Sequence, residues 1–418
     1  MSITTLQLKP VLKPFRICEI KRRTTDGYET DWQDVSNLVN DWPNIQFSLD
    51  TIRPFSYRRG NAEMSFRNDD KQFAPETFTE SKFSGFLTRY RTLCRLRTGL
   101  KDDSNVQFPT TTADQVVFSG VFSDDIDDNL TETRIVINDV TNVLQEFPAS
   151  NIAPSVVGVA LTSKEILQTI RDYQDGFGNV ILDPFISSGA WLLTNTTHTY
   201  TIPTTTSLDG KSALDLIEEL ALAENHIFYL DGAGNVNFLE RTPNTTSQYS
   251  FNGPGSKNVN IVSLNSFNEG VSSIYTKFSL ALQTNTVVST EQAFTVGDAS
   301  SSWKYGQREF SFRNAFVNTT TAGSICSGLL TDHVSPKKRL DLNTKYITQL
   351  NIKDKVTVTY KGFAGGDGSL WGHFLWDVGL WSDEKGGITI NSVTFHIIGI
   401  GIDMDKSGLE SNFQLKEV

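Results

Sequence analysis

Cysteine is scarce in this sequence, and its three cysteines, Cys18, Cys94 and Cys326, lie far apart along the chain. Their number is odd and no Cys-x-x-Cys pair occurs, so the sequence indicates neither a disulfide framework nor a zinc site. We expect three buried thiols in a chain that folds in the reducing cytosol.

Long apolar runs are also missing. Because no run of about 18 apolar residues occurs, we expect no membrane span. The first residues, MSITTLQLKPVLKPF, lack a continuous apolar core and are not typical of a signal peptide.

Basic residues are in the minority, with 37 Lys and Arg against 48 Asp and Glu and a net charge of −11. A net acidic protein is poorly suited to gripping the phosphate backbone of a nucleic acid. It could still line a passage through which nucleic acid slides without sticking, and we take this as a hypothesis.

Motifs of catalysis and metal binding are missing as well. The five histidines show no two-histidine metal spacing, and no Gly-x-Ser-x-Gly elbow occurs. The glycine-rich segment that starts at Gly362 lacks the Gly-Lys-Ser/Thr of a phosphate loop. The adjacent acids Glu218 and Glu219 point to different sides of a predicted helix and form no acid–base pair. The sequence therefore predicts no catalytic residue, no metal ligand set and no cofactor.

Two acidic stretches resemble calcium loops only in part. In the stretch from Asp403 to Gly408, the twelfth position counted from Asp403 is Gln414, where a calcium loop needs a bidentate Glu. The other stretch lacks the central glycine, and it consists of Asp124, Asp125, Asp127 and Asp128. We interpret both as solvated hairpin turns.

The 418 residues suffice for two or three domains, and 38% hydrophobic with 20% charged residues is typical of a folded protein. Phenylalanine is abundant, at 27 residues, and runs rich in Thr, Val, Ile and Phe alternate with Gly, Asp and Asn turns. This pattern predicts a mainly β fold with a few short helices, built as antiparallel barrels or sandwiches. The clearest predicted strands are residues 15–20, 61–66, 93–97, 116–122, 134–138, 271–282, 310–312, 356–360, 394–402 and 412–418.

The segment from Lys211 to Arg241 organises the prediction. Apolar residues recur in it at three- and four-residue spacing, which indicates one buried helical face; they are Ala213, Leu214, Ile217, Leu220 and Ala221. Ser212 or Asp209 can cap the helix, while Asp215, Glu218 and Glu219 fall on its exposed side. After a break at Glu224-Asn225, the residues from His226 to Leu239 predict a hairpin that turns at Asp231–Asn235. This helix–hairpin is a packing unit.

Two further helices are predicted, from Ser163 to Tyr173 with Ser163 as N-cap, and from Ala322 to His333. A polar linker after Thr242 indicates a boundary. We therefore divide the chain into an N-terminal β-barrel domain (1–150), a helix–hairpin domain (151–250) and a second β-barrel domain with insertions (251–418). Alignment of Gly120 on Gly399 brings two similar glycine-containing strands into register, which is weak support for a duplicated barrel.

Three tryptophans, Trp371, Trp376 and Trp381, follow one another at five-residue spacing in a glycine-rich segment. This spacing fits neither a helix face nor a strand face, so the segment is predicted to be a loop or irregular hairpin. Its indoles can plug a core or contact a partner, and both interpretations stay open.

The opening run from Asp31 to Glu76 contains a strand and a turn with Trp32, Asp34, Val35, Asn68, Asp69, Phe73 and Pro75. These residues resemble the first strand and turn of phage tail hub proteins. The segment VVFSGVFSDD (116–125) resembles the family's glycine-containing strand, and 212–241 resembles its helix and hairpin. Residues 395–418 resemble its closing strand pair. Residues 283–310 and the tryptophan segment match no part of the family pattern.

This resemblance implies two tube-like antiparallel β-barrels in each chain and a homotrimer. Three such chains present six barrel faces, which would let a threefold hub meet a sixfold tail tube. The implied partners are the tail tube or distal tail protein and a central spike or fibre, with DNA passing through the lumen. The implied location is the virion tail, assembled in the host cytoplasm.

Two other functions remain open at this stage. One is a receptor- or glycan-binding tail adhesin, to which the three tryptophans would contribute a stacking platform. The other is a tail-associated cell-wall hydrolase whose carboxylates come from distant strands.

Overall fold

The fold is taken from a computed structural model of the whole chain. It describes residues 13–21, 23–24, 27–49, 57–58, 60–68, 92–128, 131–175, 177–178, 180–194, 199–202, 208–240, 246–253, 259–268, 274–282, 287–291, 306–314, 316–317, 319–345, 347, 349–362, 388–404 and 410–418.

Most elements among the described residues up to residue 150 are strands. The strands are β1 (Pro14–Lys21), β2 (Arg23–Thr24), β3 (Gly27–Tyr28), β4 (Gln33–Asp34), β5 (Val39–Asp41), β6 (Asn44–Leu49), β7 (Tyr57–Arg58), β8 (Asn61–Arg67), β9 (Leu93–Lys101), β10 (Gln107–Phe108), β11 (Val116–Asp128) and β12 (Glu132–Asp139). The helices are α1 (Thr112–Gln115) and α2 (Thr141–Glu146), with 3-10 turns at Ser36–Leu38 and Ala149–Ile152.

The middle of the chain contains the helix–hairpin. Its elements are α3 (Ala153–Val156), β13 (Ala160–Thr162), α4 (Ser163–Arg171), a 3-10 turn (Ser188–Ala190), β14 (Trp191–Leu193), β15 (Thr199–Thr201), α5 (Ala213–Glu224), β16 (His226–Leu230) and β17 (Val236–Glu240). The remaining elements are β18 (Tyr249–Asn252), β19 (Ile261–Asn268), β20 (Lys277–Ala281), β21 (Val287–Glu291), β22 (Glu309–Arg313), α6 (Thr319–His333), β23 (Arg339–Lys345), β24 (Lys355–Gly362), β25 (Ile388–Asp403) and β26 (Glu410–Glu417).

Two large sheets dominate the described chain. The first sheet has the order β4-β1-β9-β11-β12-β8-β5, with β10 added to β9. The second has the order β18-β24-β25-β26-β23-β19, with β6 and β7 added beside β25. Both sheets are curled like half-barrels, so the predicted mainly β fold with a few short helices is confirmed. Most ladders are antiparallel; β14–β17, β18–β24 and β20–β22 are parallel.

The two large sheets share one strand order. Each sheet contains six strands in the same order once β4 and β10 are left out of the first sheet and β6 and β7 out of the second. Numbered along the chain, the first of the six lies beside the fourth, followed by the fifth, sixth, third and second. These strands are β1, β5, β8, β9, β11 and β12 in the first sheet, and β18, β19, β23, β24, β25 and β26 in the second. The halves differ in their first strand, since β1 is antiparallel to β9 whereas β18 is parallel to β24. The sequence alignment of Gly120 with Gly399 places the two glycines on equivalent strands, β11 and β25.

One strand crosses between the halves. β6 follows β5 in the chain, yet it pairs with the second sheet, where Asn44 lies opposite Asp403 and Ser48 opposite Gly399. The N-terminal segment therefore supplies a strand to the C-terminal sheet. The domain division at residues 150 and 250 stays a prediction.

The helix–hairpin forms where the sequence predicts it. Ser212 caps α5 in a capping box with Asp215, and Asn225 ends the helix in the left-handed region at φ 55°. The hairpin strands β16 and β17 pair with Leu230 opposite Val236. More of α5 is buried than one face, because β16, α2, α4 and α6 all pack around it. The additional buried residues are Leu216, Leu222, Ala223 and Glu224, and Glu218 and Glu219 are half-buried rather than exposed.

Two details of the sequence prediction are corrected. Thr162, rather than Ser163, caps α4, because its hydroxyl accepts from the Glu165 amide and the Glu165 side chain reaches back to the Thr162 amide. The predicted turn at Asp124–Asp128 is part of β11, which continues opposite β12 as far as Asp128 and Thr133. Within this acidic run, residues 126–128 pair with β12, after a register shift between Phe122 and Ile126.

All three cysteines are free and buried, as predicted. Cys18 and Cys94 lie on the neighbouring strands β1 and β9, with their Sγ atoms 3.9 Å apart. The hydrogen bond with Cys94, together with burial, raises the pKa of the Cys18 thiol, which keeps it protonated. Among the helices that the structure describes, none is long and apolar enough to span a bilayer.

The burial of α5 gives a first stability prediction. Leu220 is fully buried, so Leu220→Asp places an unpaired charge in the core and should lower the free energy of unfolding by more than about 4 kcal/mol. Leu220→Met, which keeps the volume, should lower it by less than about 1.5 kcal/mol. Urea unfolding followed by circular dichroism measures both. A soluble, normally stable Leu220→Asp variant would contradict this packing.

The two glycines that the sequence alignment matches give a second prediction. A Cβ at Gly120 would meet the carbonyl oxygen of Asn138 far inside contact distance, whereas at Gly399 it would meet the side-chain end of Gln414 at 2.8 Å. A backbone atom can move away from the new methyl group less easily than an exposed side chain can. Gly120→Ala should therefore lower the free energy of unfolding by about 3 kcal/mol, and Gly399→Ala by about 1 kcal/mol or less. The denaturation midpoints of the two variants measure this difference in stability, and equal midpoints would contradict the prediction.

Candidate functional site

The tryptophan segment predicted from the sequence lies outside the described residues. Trp371, Trp376 and Trp381 all fall between β24 and β25, in residues 363–387. Their role as core plugs or as a partner-contact loop stays a prediction.

No group of three or more His, Cys, Asp or Glu in the described part of the chain could hold a metal ion. The acidic stretch that starts at Asp403 begins at the end of β25, and its residues 405–409 lie outside the described residues.

A buried ion cluster lies on the first sheet. The Glu19 carboxylate accepts hydrogen bonds from Nε of Arg95 at 2.5 Å and from Nη2 of Arg97 at 2.8 Å. Arg97 also donates to Gln115 at 2.8 Å, and the Arg95 guanidinium stacks 4.3 Å over the Trp32 ring. Both carboxylate oxygens are therefore engaged by arginines. The cluster ties β1, β9, α1 and the Trp32 segment together, which is a structural task.

A second buried cluster joins α4 to α5. The Ser163 hydroxyl donates to the Glu224 carboxylate at 2.8 Å. Since Ser163 is the first residue of α4, the carboxylate lies at the positive end of that helix. His226 lies 2.9 Å from the Glu224 carbonyl oxygen through Nδ1 and 3.1 Å from Thr194 Oγ1 through Nε2. The serine is thus bonded to a carboxylate rather than to an imidazole, and the cluster lacks the base a nucleophilic serine needs.

A third buried acid, Asp139, fastens the end of β12. Its carboxylate accepts from the amides of Gly60 at 2.6 Å and Thr141 at 3.0 Å, and from the Thr141 hydroxyl. Burial raises the pKa of Asp139, and the hydrogen bonds from Thr141 and Gly60 partly oppose this rise. The residue joins β12 and α2 to the start of β8.

A cleft of about 440 Å³ lies where the two halves meet the hairpin. It is bordered by the start of β11, the turn 231–235, the segment 349–352 and the end of β25. Of its two carboxylates, Asp231 is engaged by Asn235, whose amide and side chain donate at 2.9 and 2.8 Å, and Asp114 accepts from the Thr111 hydroxyl. The cleft therefore presents a hydrogen-bonded turn, with no free acid–base pair among its described residues.

Each of the two large sheets has a polar face. Along β12 and β23 every second residue is buried, and the intervening residues face away from the core. On the second sheet this polar face carries a hydrogen-bonded row of Asn265, Asn343 and Asn412, with 3.0 Å between successive members. On the first sheet it carries both signs of charge, as in the pair of Arg134 and Glu63 at 3.6 Å. Sequence alternation could have located this surface, but no motif marks it.

Comparison with known proteins was made by sequence and by structure. The sequence matches no protein-family model and, at significant similarity, no curated protein. The structure is similar to the tail protein from Neisseria meningitidis MC58, with a TM-score of 0.53 and 10% identity over 96% of both chains. It is also similar to the 43 kDa tail protein of prophage MuSo2 from Shewanella oneidensis, with a TM-score of 0.51 and 14% identity over 96% of this chain and 98% of that one. The chain therefore has the fold of phage tail proteins, as the sequence resemblance implies.

The motif residues behind that resemblance are partly described. Asp34 accepts from the Ser36 amide at 2.9 Å, and Val35 and Asn68 are buried. Asp69, Phe73 and Pro75 lie outside the described residues.

His396 on the polar face gives a pH prediction. Burial lowers its pKa to about 4, helped by the charges of Lys353 and Lys355. Between pH 6.5 and about 4 the unfolded chain binds a proton at this position and the folded chain does not, so stability falls as pH falls through this window. The loss should be at most about 1.4 kcal/mol per pH unit.

His396→Gln should remove this part of the pH dependence. The unfolding free energies of the wild-type protein and the variant are measured from pH 7 to pH 4.5 and subtracted at each pH. The contribution of the carboxylates, which both proteins share, cancels in this difference. Parallel curves would contradict the assignment.

Proposed function

We propose that this chain is a structural hub protein of a phage or phage-like tail, which forms a homotrimeric ring around the DNA exit channel. The observation that carries this proposal is the shared strand order of the two large sheets within one chain. The fold of phage tail proteins, found over 96% of the chain, agrees with a structural role in a tail.

The duplicated sheets suit a symmetry adapter. Three copies of a chain with two similar sheets give a ring with six similar sheets and true threefold symmetry. One side of such a ring matches a sixfold tube and the other a threefold spike. The proposed partners are therefore the tail tube or distal tail protein, the central spike or fibre, and two further copies of the chain.

The polar face agrees with a water-filled opening. Among the described residues it carries an asparagine row and the ion pair of Arg134 with Glu63, and the whole chain carries a net charge of −11. We propose that DNA passes through this opening without specific binding. The protein would act by mechanical fit in the virion tail, after assembly in the host cytoplasm, and not as an enzyme.

The trimer is the testable core of the proposal. Native mass spectrometry of the purified chain should give a species of about 140 kDa, three times the 46.5 kDa chain, and electron microscopy should show a central opening. A threefold ring is expected because the two halves of one chain supply alternating faces.

Other outcomes would favour other functions. A monomer that binds free glycan, with binding lost on replacement of Trp371 or Trp376, would favour a tail adhesin. Turnover of peptidoglycan that is lost on a single carboxylate change would favour a cell-wall hydrolase. A solid trimer with no opening would contradict the hub.

A further inference from the structure

A row of basic residues crosses the polar face of the second sheet, and we call it the basic row. Its members lie opposite one another from strand to strand, and they are Lys355 on β24, His396 on β25, Lys416 on β26 and Arg339 on β23. Residues directly opposite each other in an antiparallel ladder lie on the same face of the sheet. Each of the four is followed or preceded in the chain by a buried apolar residue, so the basic row lies on the face away from the core. These buried neighbours are Val356, Ile397, Leu415 and Leu340.

The basic row concentrates positive charge on this part of the sheet. Neighbouring strands lie about 4.8 Å apart, so the four side chains start within about 15 Å of one another. Burial lowers the pKa of His396 to about 4, and the charges of Lys353 and Lys355 lower it further. Each of these lysines has a larger effect on His396 than the opposing charge of Asp332. The electrostatic potential over this part of the polar face is therefore positive.

Basic residues at the equivalent place in the first sheet have a counter-charge within the sheet. Arg95 and Arg97 on β9, the strand equivalent to β24, are bonded to the Glu19 carboxylate of the neighbouring strand β1. The strand equivalent to β1 is β18, which lies beside β24 and consists of Tyr249, Ser250, Phe251 and Asn252. Because β18 carries no carboxylate, it does not supply Lys355 with the counter-charge that Glu19 supplies to β9. A polyanion outside the sheet can supply it.

We propose that the basic row binds the phosphate backbone of DNA, with Lys355 and Lys416 donating to phosphate oxygens on either side of His396. Both lysines are half-buried, and such a lysine packs its apolar stem along the sheet while its ammonium group stays in water. Phosphate contacts carry no sequence information, and they weaken as salt rises because each contact releases a counterion from the DNA. This inference rests on the proposed function in taking DNA as the polyanion, and it names the contact that DNA makes in the opening.

The contact is compatible with the passage of DNA through a trimeric ring. Three chains would carry three basic rows related by the threefold axis. The net charge of −11 on each chain repels DNA from the wall as a whole, whereas the three rows attract it equally from three sides. Since phosphates recur all along the strand, DNA held in this way is centred and still slides.

Fluorescence anisotropy of the full chain with a labelled random-sequence duplex of about 30 base pairs tests the contact. Affinity is measured at pH 7 between about 20 and 150 mM NaCl. Lys416→Gln should weaken binding at least about fivefold at about 50 mM NaCl, and it should make the plot of log affinity against log salt shallower by about one unit. Lys355→Gln should cause the same two changes. Lys416→Arg keeps the charge and should preserve both the affinity and the slope.

Lys345→Gln is the matched control. Lys345 lies on β23, as Arg339 does, and it is also half-buried, but its partner across the ladder is the carboxylate residue Glu410. This variant should bind the duplex within about twofold of the wild-type affinity, with an unchanged salt slope. Circular dichroism and a denaturation midpoint confirm the fold of every variant before binding is measured.

The outcomes separate this inference from the proposed function. A trimer that binds no duplex at about 20 mM NaCl, or that loses equal affinity with Lys416→Gln and Lys345→Gln, overturns the basic row as a DNA contact and leaves the trimeric hub standing. Binding of labelled poly-glutamate in preference to the duplex would overturn it in favour of an acidic protein partner. A monomer that binds the duplex through Lys355 and Lys416 supports the basic row and overturns the trimeric hub.

Discussion

The ladder between β6 and β25 is the contact on which the rest of the architecture depends. A buried backbone amide or carbonyl without a partner costs free energy comparable to a lost hydrogen bond. β24 pairs with β25 only as far as His396, so on that side β6 supplies the partner of residues 399–403, while β26 pairs with residues 395–403 on the other side. Phe47 and Ile400, opposite each other in this ladder, are both buried, so the ladder also closes the core between the halves.

Three buried carboxylates of the described chain stabilise this arrangement. Glu19, Glu224 and Asp139 each have their carboxylate engaged by hydrogen-bond donors from a different element. Such groups are costly to bury unless they are paired, and each pairing fixes the relative position of two elements. This pattern suits a protein whose task is to hold a shape.

The duplicated strand order links the fold to the proposed ring. The two sheets share their order although their sequences show only a weak echo around Gly120 and Gly399. The strand order is preserved because it depends on the alternation of apolar and polar residues along each strand and on the turns between strands. Individual side chains are free to change as long as one face of the sheet stays apolar. The polar faces have diverged accordingly, into mixed charge on one sheet and an asparagine row on the other.

The sequence by itself determined the local elements: the mainly β class, the hairpin from His226, the cap at Ser212 and the buried cysteines all follow from periodicity and short-range chemistry. Tertiary structure decided the partners of each strand. An alternating strand such as β6 fits any sheet with a matching apolar face, and nothing in its six residues specifies β25. The same holds for the acidic run at the end of β11, which local chemistry predicts as a turn and β12 holds as a strand. Strand pairing is a long-range choice among similar edges, so the strand order of the two sheets emerged only from the assembled structure.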